Sequence, residues 1–456
     1  MSLVLILLGL IVLIVGATTW LKLHPFLALL LAALIGGLAY GLPLGDLPKA
    51  IGTGFGNTLG GIGIVIALGT IIGIILEKSG GAISMAEGVI RVLGERFPTL
   101  TISIIGYLVS IPVFCDSGFV ILNSLKNALA KRMKVSVVAM SIALSTGLYA
   151  THTFVPPTPG PIAAAGNLGL AENLGLVIAV GLLVAAVSAL GGLLWANVFA
   201  KKDDHLLLMP GGEGSELTDP DVDYAALRAR YGEIPSAGAA FAPIVVPILL
   251  ICLGSVAAFP ANIFGDGGLK AALMFFGHPI IALGLGLVVA LPLIKGEKLK
   301  NFAAQVEEGL VAAAPILLIT GAGGAFGAVL AASGIGGYLG ETLSALGVGI
   351  FMPYVVAAAL KSAQGSTTVS LITSSALVAP LLPQLGLDSE MGRVLTVMAI
   401  GAGGMTVSHV NDSFFWVVSQ FSRFTLPTAF KGQTVGTLVQ GLFAMAATWA
   451  LSLILI

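Results

Sequence analysis

Long apolar stretches separated by short polar segments dominate the chain. Ten of these stretches reach the roughly 20 residues that a helix needs to cross the hydrocarbon core of a bilayer. They lie at about 2–20, 24–44, 57–76, 135–170, 174–199, 241–259, 271–294, 310–331, 391–422 and 433–456. Polar residues interrupt the stretches 135–170 and 391–422, so we predict that each of these two is a broken helix.

Two further apolar regions, 99–131 and 347–387, each consist of two arms around a polar centre. The centre is Pro112–Gly118 in the first region and Lys361–Thr368 in the second. Two full spans would carry each centre to the opposite membrane face. A re-entrant hairpin would instead hold the centre near mid-membrane, where it must line a cavity.

The basic residues favour hairpins. If both regions are hairpins and the N-terminus lies outside, only Lys49, Lys270 and Arg393 fall in outer loops, and Lys361 stays in the membrane. The other basic residues fall in inner loops: Lys22, Lys78, Arg91, Arg96, Lys126, Lys131, Arg132, Lys134, Lys201, Lys202, Arg228, Arg230, Lys295, Lys298, Lys300, Arg423 and Lys431. This asymmetry follows the positive-inside rule.

Composition supports a membrane protein. The 456 residues are 57% hydrophobic and only 9% charged, whereas a soluble domain is about a quarter charged. The net charge of −1 gives no indication of nucleic-acid binding. Cys115 and Cys252 offer neither a disulfide framework nor a metal-ligand spacing, so we predict no metal site and no cofactor. The segment 2–20 is interpreted as a retained span rather than a signal peptide.

The two halves of the chain match in sequence. The pattern Gly69-x3-Gly73 recurs as Gly323-x3-Gly327 at an offset of 254, and in both copies a Leu and a Ser-Gly pair follow. We expect the glycines to serve helix packing. Residues 200–240 are rich in charge and are predicted to be a cytoplasmic linker between a first membrane repeat, 1–199, and a second, 241–456.

The repeats are predicted to be inverted. The loop 126–134 carries four basic residues, whereas its counterpart 384–390 carries none. The predicted fold is therefore an all-α polytopic membrane protein with two inverted-topology repeats, about ten transmembrane helices, two re-entrant hairpins and two discontinuous helices. Such repeats are typical of secondary transporters, which bind substrate where the helix breaks converge.

Five ionisable residues occupy the predicted hairpin tips and helix breaks: Asp116, His152, Lys361, His409 and Asp412. In hydrocarbon an ionisable side chain costs several kcal/mol unless it lines a cavity or finds a partner. Lys361 is the natural partner for a substrate carboxylate. The alternative is a permanent ion pair with Asp116 or Asp412.

Neighbouring polar residues extend this candidate substrate site. Gln364, Ser366, Thr367 and Thr368 open a half-helix whose hydroxyl and N–H groups attract anions and polyol oxygens, or simply cap the helix. Ser117 occupies the equivalent place in the first hairpin.

The breaks themselves carry the remaining candidates. His409, Asn411 and Asp412 are predicted to bind polyol hydroxyls, or alternatively to cross-link their break. His152 precedes a proline-rich run that cannot remain helical, and a ligand role and a structural role are both open for it. Asp116 is preferred over Asp412 as the proton carrier because its neighbours are mostly apolar and favour the neutral form.

Four motifs carry a family resemblance: Phe114–Phe119, Pro156–Pro161, Gly365–Val369 and Ser408–Trp416. Through them the chain resembles the gluconate permease family of proton symporters over nearly its whole length. The resemblance implies proton-coupled uptake of gluconate or a related small hydroxylated carboxylate across a bacterial inner membrane. More distantly, it implies a homodimer with a scaffold and a moving, elevator-type transport domain.

Two positions depart from the gluconate-type pattern. Asp116 stands where such members tend to carry Glu, and Thr158, a candidate substrate ligand, stands where they tend to carry His. Fructuronate, glycerate, idonate and D-serine therefore remain open as substrates, as does coupling to sodium. A channel and an intramembrane enzyme are the rival classes, and no nucleophile motif accompanies the His-Asn-Asp cluster.

Overall fold

The computed structural model describes residues 2–94, 96–201, 224–258, 264–296, 298–334 and 349–456. Regular secondary structure in these ranges is helical. Most of the predicted linker 200–240 and the first two residues of the region 347–387 lie outside the described residues.

The first half of the chain contains nine helices within the described residues. They are α1 (Ser2–Thr19), α2 (Pro25–Ala39), α3 (Leu47–Lys78), α4 (Gly81–Leu93), α5 (Pro98–Val109), α6 (Cys115–Met133), α7 (Val137–Phe154), α8 (Pro159–Asn167) and α9 (Leu174–Asn197).

The rest of the described chain continues with α10 (Tyr224–Tyr231), α11 (Ala237–Ala258), α12 (Gly268–Gly277), α13 (Pro279–Ala290), α14 (Lys298–Ala332), α15 (Phe351–Gln364), α16 (Thr367–Val378), α17 (Glu390–Met405), α18 (Ser413–Phe421), α19 (Leu426–Ala429) and α20 (Val435–Leu455). A turn of π-helix, Phe430–Thr434, joins α19 to α20.

Six helical segments in the described residues are long and apolar enough to cross a membrane, or seven if the bent pair α12 and α13 is one span. That pair departs from the unbroken stretch 271–294 expected from hydropathy, because the chain bends by 69° there. Pro279 begins α13 after His278 adopts an extended conformation. Proline has no N–H for a continuing helix, so the break falls at this position.

Short polar segments interrupt the chain at four places that matter for the site. Residues 155–158 separate α7 from α8, and 406–412 separate α17 from α18. Residues 110–114 separate α5 from α6. Gly365 and Ser366 separate α15 from α16. Gly365 has φ +86°, and a Cβ there would meet the backbone carbonyl of Asn411, so only glycine fits this turn.

The helices pack in two groups. A row of neighbours runs α5, α7, α9, α20, α17 and α15, while α3 packs against α14 along much of its length. A Cβ on Gly69 would meet the carbonyl of Pro157, and one on Gly73 would meet that of Pro112. These two glycines therefore let α3 approach both polar interruptions of the first half.

One residue contradicts the loop assignment made from the charge pattern. Lys126, counted among the inner-loop residues, is fully buried. Its ammonium donates to Asn123 Oδ1 and Ser141 Oγ, both at 2.8 Å, and to Ser422 Oγ at 3.3 Å. The reason is that α6 extends to Met133, so Lys126 lies within the helix and packs against α7.

Candidate functional site

A buried ion pair between Lys361 and Asp412 lies at the centre of the candidate site. Lys361 lies in the last turn of α15, and its ammonium nitrogen lies 2.7 Å from Asp412 Oδ2. Lys361 is 0% exposed and Asp412 is 5% exposed. Of the two roles that the sequence left open for Lys361, the structure contains the ion pair. Each charge needs the other, because an isolated buried charge is very costly.

Asp412 also organises the break before α18. Its Oδ1 accepts from the backbone N–H of Phe414 at 3.1 Å, which caps the helix. Its Oδ2 accepts from the hydroxyl of Ser408 as well as from Lys361. Three donors therefore satisfy the ionised carboxylate.

Two other residues of this break bind the backbone of α15. His409 Nε2 lies 3.0 Å from the carbonyl oxygen of Ser362, and Asn411 Nδ2 donates to the same oxygen at 2.9 Å. Both side chains thus connect the break 406–412 to the end of α15. In this structure they make the cross-link that was the alternative to polyol binding.

Three of the candidates present unused hydrogen-bonding atoms. Asp116 is the second residue of α6. Among the residues that the structure describes, Asp116 Oδ1, His152 Nδ1 and both amide atoms of Gln364 are buried and have no hydrogen-bond partner. Buried polar atoms are rarely left unpaired in native proteins, so these atoms are available to a ligand.

The first-half and second-half candidates lie close enough to interact electrostatically. The side chains of Asp116 and His152 each interact electrostatically with those of Asp412 and Lys361. The ring of Phe114, which precedes α6, lies 5.8 Å from that of His152. Four of the five predicted ionisable residues are therefore brought into one cluster.

Four helix N-termini form two pairs near this cluster. A Cβ on Gly160, at the start of α8, would lie near Thr368, at the start of α16. Phe119 in α6 packs edge-on against Phe414 in α18, with ring centroids 6.3 Å apart. These contacts pair the start of α8 with that of α16 and the start of α6 with that of α18, and the dipoles of helix N-termini favour an anion.

The remaining predicted residues have defined structural contacts. Ser366 caps α16, and its Oγ accepts from the N–H of Val369. Thr158 precedes α8 and donates to the carbonyl of Val155 at 2.6 Å. Ser117 follows Asp116 in the first turn of α6.

Sequence reasoning missed two residues of the site. Tyr149 is buried in α7, and its hydroxyl oxygen lies 2.5 Å from Thr367 Oγ1. Ser408 donates to the carboxylate of Asp412. Ser408 was visible as part of the motif 408–416. Nothing in the sequence singles out Tyr149, since an aromatic residue in an apolar helix usually fills the core.

A metal site has no support in the described ranges, where no group of three His, Cys, Asp or Glu side chains is arranged to hold an ion. The site instead combines a neutralised ion pair, unpaired polar atoms and paired helix N-termini inside an apolar bundle. That combination defines a polytopic membrane permease for a small polar solute.

Comparison with known proteins identifies the family. The chain belongs to the GntP family of permeases, whose family model matches residues 1–454. A gluconate permease of Pseudomonas aeruginosa is 35% identical over 454 residues, covering 98% of this chain and 96% of the relative. A D-serine transporter of Escherichia coli is 34% identical over 450 residues, covering 98% and 97%.

A solved structure shares the fold. The YdaH transporter of Alcanivorax borkumensis superposes with a TM-score of 0.65 at 16% identity, covering 95% of this chain and 99% of that one. The chain is therefore a multi-pass inner-membrane permease, a transport protein rather than an enzyme. The resemblance predicted from the motifs is confirmed.

Proposed function

We propose that this permease takes up gluconate or a related small hydroxylated carboxylate together with protons. The observation that carries the proposal is the buried Lys361–Asp412 pair, with the starts of α16 and α18 beside it. The positive ends of these helix dipoles suit a carboxylate. The unpaired atoms of Asp116, His152 and Gln364 suit the hydroxyl groups of the same molecule.

Charge balance supports proton coupling. Lys361 and Asp412 neutralise each other, so Asp116 contributes an uncompensated negative charge when it is ionised. An anionic substrate would place a second negative charge beside it in a site with little water. Like charges in such surroundings disfavour the ionised acid. Binding of the anion therefore favours a proton on Asp116, and substrate and proton move together.

We further propose two inverted repeats with re-entrant hairpins. The helix lengths support this, because long α3, arms α5 and α6, and broken α7 and α8 match α14, arms α15 and α16, and broken α17 and α18. In both halves the first arm packs closely against the first part of the broken helix, α5 on α7 and α15 on α17.

Cysteine labelling tests the inverted topology. Arg132→Cys, beyond the first hairpin, is expected to react with an impermeant maleimide only from the cytoplasmic side. Asp388→Cys, beyond the second hairpin, is expected to react only from outside, since both native residues are exposed. A chain with Cys115 and Cys252 replaced by serine is the background. Labelling of both positions from one side would contradict the inverted arrangement.

An elevator-type movement of a homodimer is the corresponding transport mechanism. The resemblance of the motifs implies both features, and the shared fold of the YdaH transporter is compatible with them. The mass of the detergent-solubilised protein, with detergent subtracted, measures the oligomeric state. A monomeric mass in several detergents and in nanodiscs would exclude the dimer.

Counterflow in proteoliposomes tests the substrate and the coupling. Vesicles loaded with unlabelled gluconate should take up labelled gluconate, and an inwardly directed proton gradient should drive net accumulation. Fructuronate, glycerate and idonate are assayed as competitors. Absence of counterflow with every hydroxylated carboxylate would reject the proposed substrate class. Accumulation that follows a sodium gradient would instead reject proton coupling.

A zwitterionic hydroxy amino acid is the second candidate. The observation that favours it is the free Oδ1 of Asp116, which is able to bind a substrate ammonium as well as a hydroxyl. One relative carries the name D-serine transporter. D-serine is therefore included in the counterflow panel, and stronger exchange with D-serine than with gluconate would select this alternative.

A further inference from the structure

We propose that the hydroxyl groups of Tyr149 and Thr367 together form a subsite that donates a hydrogen bond to the substrate carboxylate. The inference rests on the proposed function, because it assigns one part of that site to one group of the substrate. The two oxygens lie 2.5 Å apart, and the residues are 1% and 8% exposed. Tyr149 comes from α7 and Thr367 is the first residue of α16.

A count of hydrogen atoms shows that the pair has a donor left over. Two hydroxyl groups carry two hydrogens, and whichever group donates, their mutual bond uses one of them. Within the part of the chain that the structure describes, neither hydroxyl makes another hydrogen bond. A buried O–H without an acceptor is unfavourable. The pair therefore presents one O–H to a group that the protein itself does not supply.

The surroundings of the pair indicate the charge of that group. Thr367 lies at the N-terminus of α16, where the helix dipole favours negative charge. The ammonium of Lys361 lies 5.9 Å from the centroid of the Tyr149 ring. Because Asp412 balances most of that charge, an anion in this place needs additional donors, and a leftover O–H is one. A carboxylate oxygen is the acceptor that fits these conditions.

The pair is also held in place, as a subsite must be. The Tyr149 ring packs against that of Phe414 with centroids 5.2 Å apart. Thr367 is the first residue of α16, and Ser366 caps this helix immediately before it. The two hydroxyl oxygens are therefore held in place before the substrate binds, which lowers the entropic cost of binding.

The double variant Tyr149→Phe with Thr367→Val is the direct test, because either hydroxyl alone would still carry one free hydrogen. The readout is the affinity for gluconate divided by the affinity for D-glucitol, a neutral polyol of the same carbon number, both from inhibition of counterflow. We expect gluconate affinity to fall by about tenfold to a hundredfold, as for loss of a hydrogen bond to a charged group. Glucitol affinity should change much less, so the ratio falls.

Three further variants separate this role from a structural one. Tyr107→Phe deletes a tyrosine hydroxyl that donates to the carbonyl of Leu182 at 2.6 Å, and should leave the ratio unchanged. Tyr149→Phe alone, which leaves the Thr367 hydroxyl and its hydrogen, should lower the ratio less than the double variant. Thr367→Ser, which keeps the hydroxyl, should stay near the wild-type ratio.

The outcomes distinguish the subsite from the proposed function. If the wild-type protein exchanges gluconate but the double variant leaves the ratio unchanged, or lowers both affinities equally, the subsite assignment is wrong. If the wild-type protein exchanges no hydroxylated carboxylate, the proposed function fails and the subsite fails with it. A reduced ratio in the double variant, with Tyr107→Phe and Thr367→Ser near the wild-type ratio, supports the proposal.

Discussion

The two halves of the permease use their polar breaks differently. In the second half, Asp412 accepts three hydrogen bonds, and His409 and Asn411 both bind the carbonyl of Ser362. In the first half, Asp116 Oδ1 and His152 Nδ1 are buried and have no partner among the described residues. Among the described residues, protein groups thus saturate the break 406–412, whereas Asp116, His152 and also Gln364, at the end of α15, keep unpaired atoms.

This difference separates two roles that an intramembrane polar residue can have. A satisfied network in a low-dielectric interior fixes the geometry of the helices that it joins. An unsatisfied group is stable only if something other than the protein completes its hydrogen bonds. We infer that the second-half cluster holds the site together and that the first-half cluster receives the solute and the proton.

The largest effect should come from Asp412→Asn. Asparagine still caps α18, but it leaves the Lys361 ammonium buried without its counter-charge. Removing one partner of a buried pair typically costs about 3–5 kcal/mol. We expect a marked fall in Tm and in the yield of monodisperse protein in detergent.

Glu308→Gln is the matched control for this variant. It breaks the pair of Lys78 and Glu308, whose charged atoms lie 3.0 Å apart with side chains 46% and 48% exposed. An exposed pair contributes about 0–1 kcal/mol, so Tm should hardly move. The double variant Lys361→Met with Asp412→Leu should regain yield but not transport. Wild-type stability of Asp412→Asn would refute a structural role for the pair.

The next effect is functional and should leave the fold intact. Asp116→Asn removes the proposed proton carrier without breaking any ion pair of the described residues. We expect loss of proton-driven accumulation, while counterflow at equal concentrations on both sides continues. Asp116→Glu is the control and should retain coupling, since it keeps a carboxylate. Full accumulation by Asp116→Asn would show that another group of the site carries the proton.

The smallest effect should come from His409→Ala and Asn411→Ala. Each variant removes one hydrogen bond to the Ser362 carbonyl, which contributes about 0.5–1.5 kcal/mol to stability. Because both donors share one acceptor, each single variant leaves the carbonyl paired and only the double variant leaves it unpaired, so the double variant should lose more than the sum of the two. Thermal unfolding of the single and double variants measures this coupling. A loss of gluconate affinity at unchanged stability would show instead that these side chains are ligands.

Much of the architecture follows from local sequence. The apolar stretches predicted a helical membrane protein, and the motifs predicted its family. Prolines 156, 157 and 159 and the polar run 406–412 marked the segments where α7 and α17 end. These features are local, because hydropathy and a missing N–H act on the residues that carry them.

The charge pattern gave a wrong prediction where the burial of a side chain depended on a distant neighbour. Lys126 was assigned to a loop by its charge, yet Ser141 and Ser422 bury it. Locally, Lys126 does not differ from the basic residues that do lie in loops. The bend at His278 was overlooked for another reason: the stretch 271–294 is long and apolar enough to be interpreted as one span, although Pro279 marks the break locally.

The sequence by itself determined that Lys361 needed a negative partner, because a lysine in an apolar stretch cannot remain charged alone. It left three partners open: Asp116, Asp412 and a substrate. Only the tertiary structure decided for Asp412, 51 residues away, by bringing two helix breaks together. The same is true of Tyr149 and Thr367, which are 218 residues apart. The physical reason is that periodicity and composition report the environment of a side chain, whereas its partner depends on how distant helices pack.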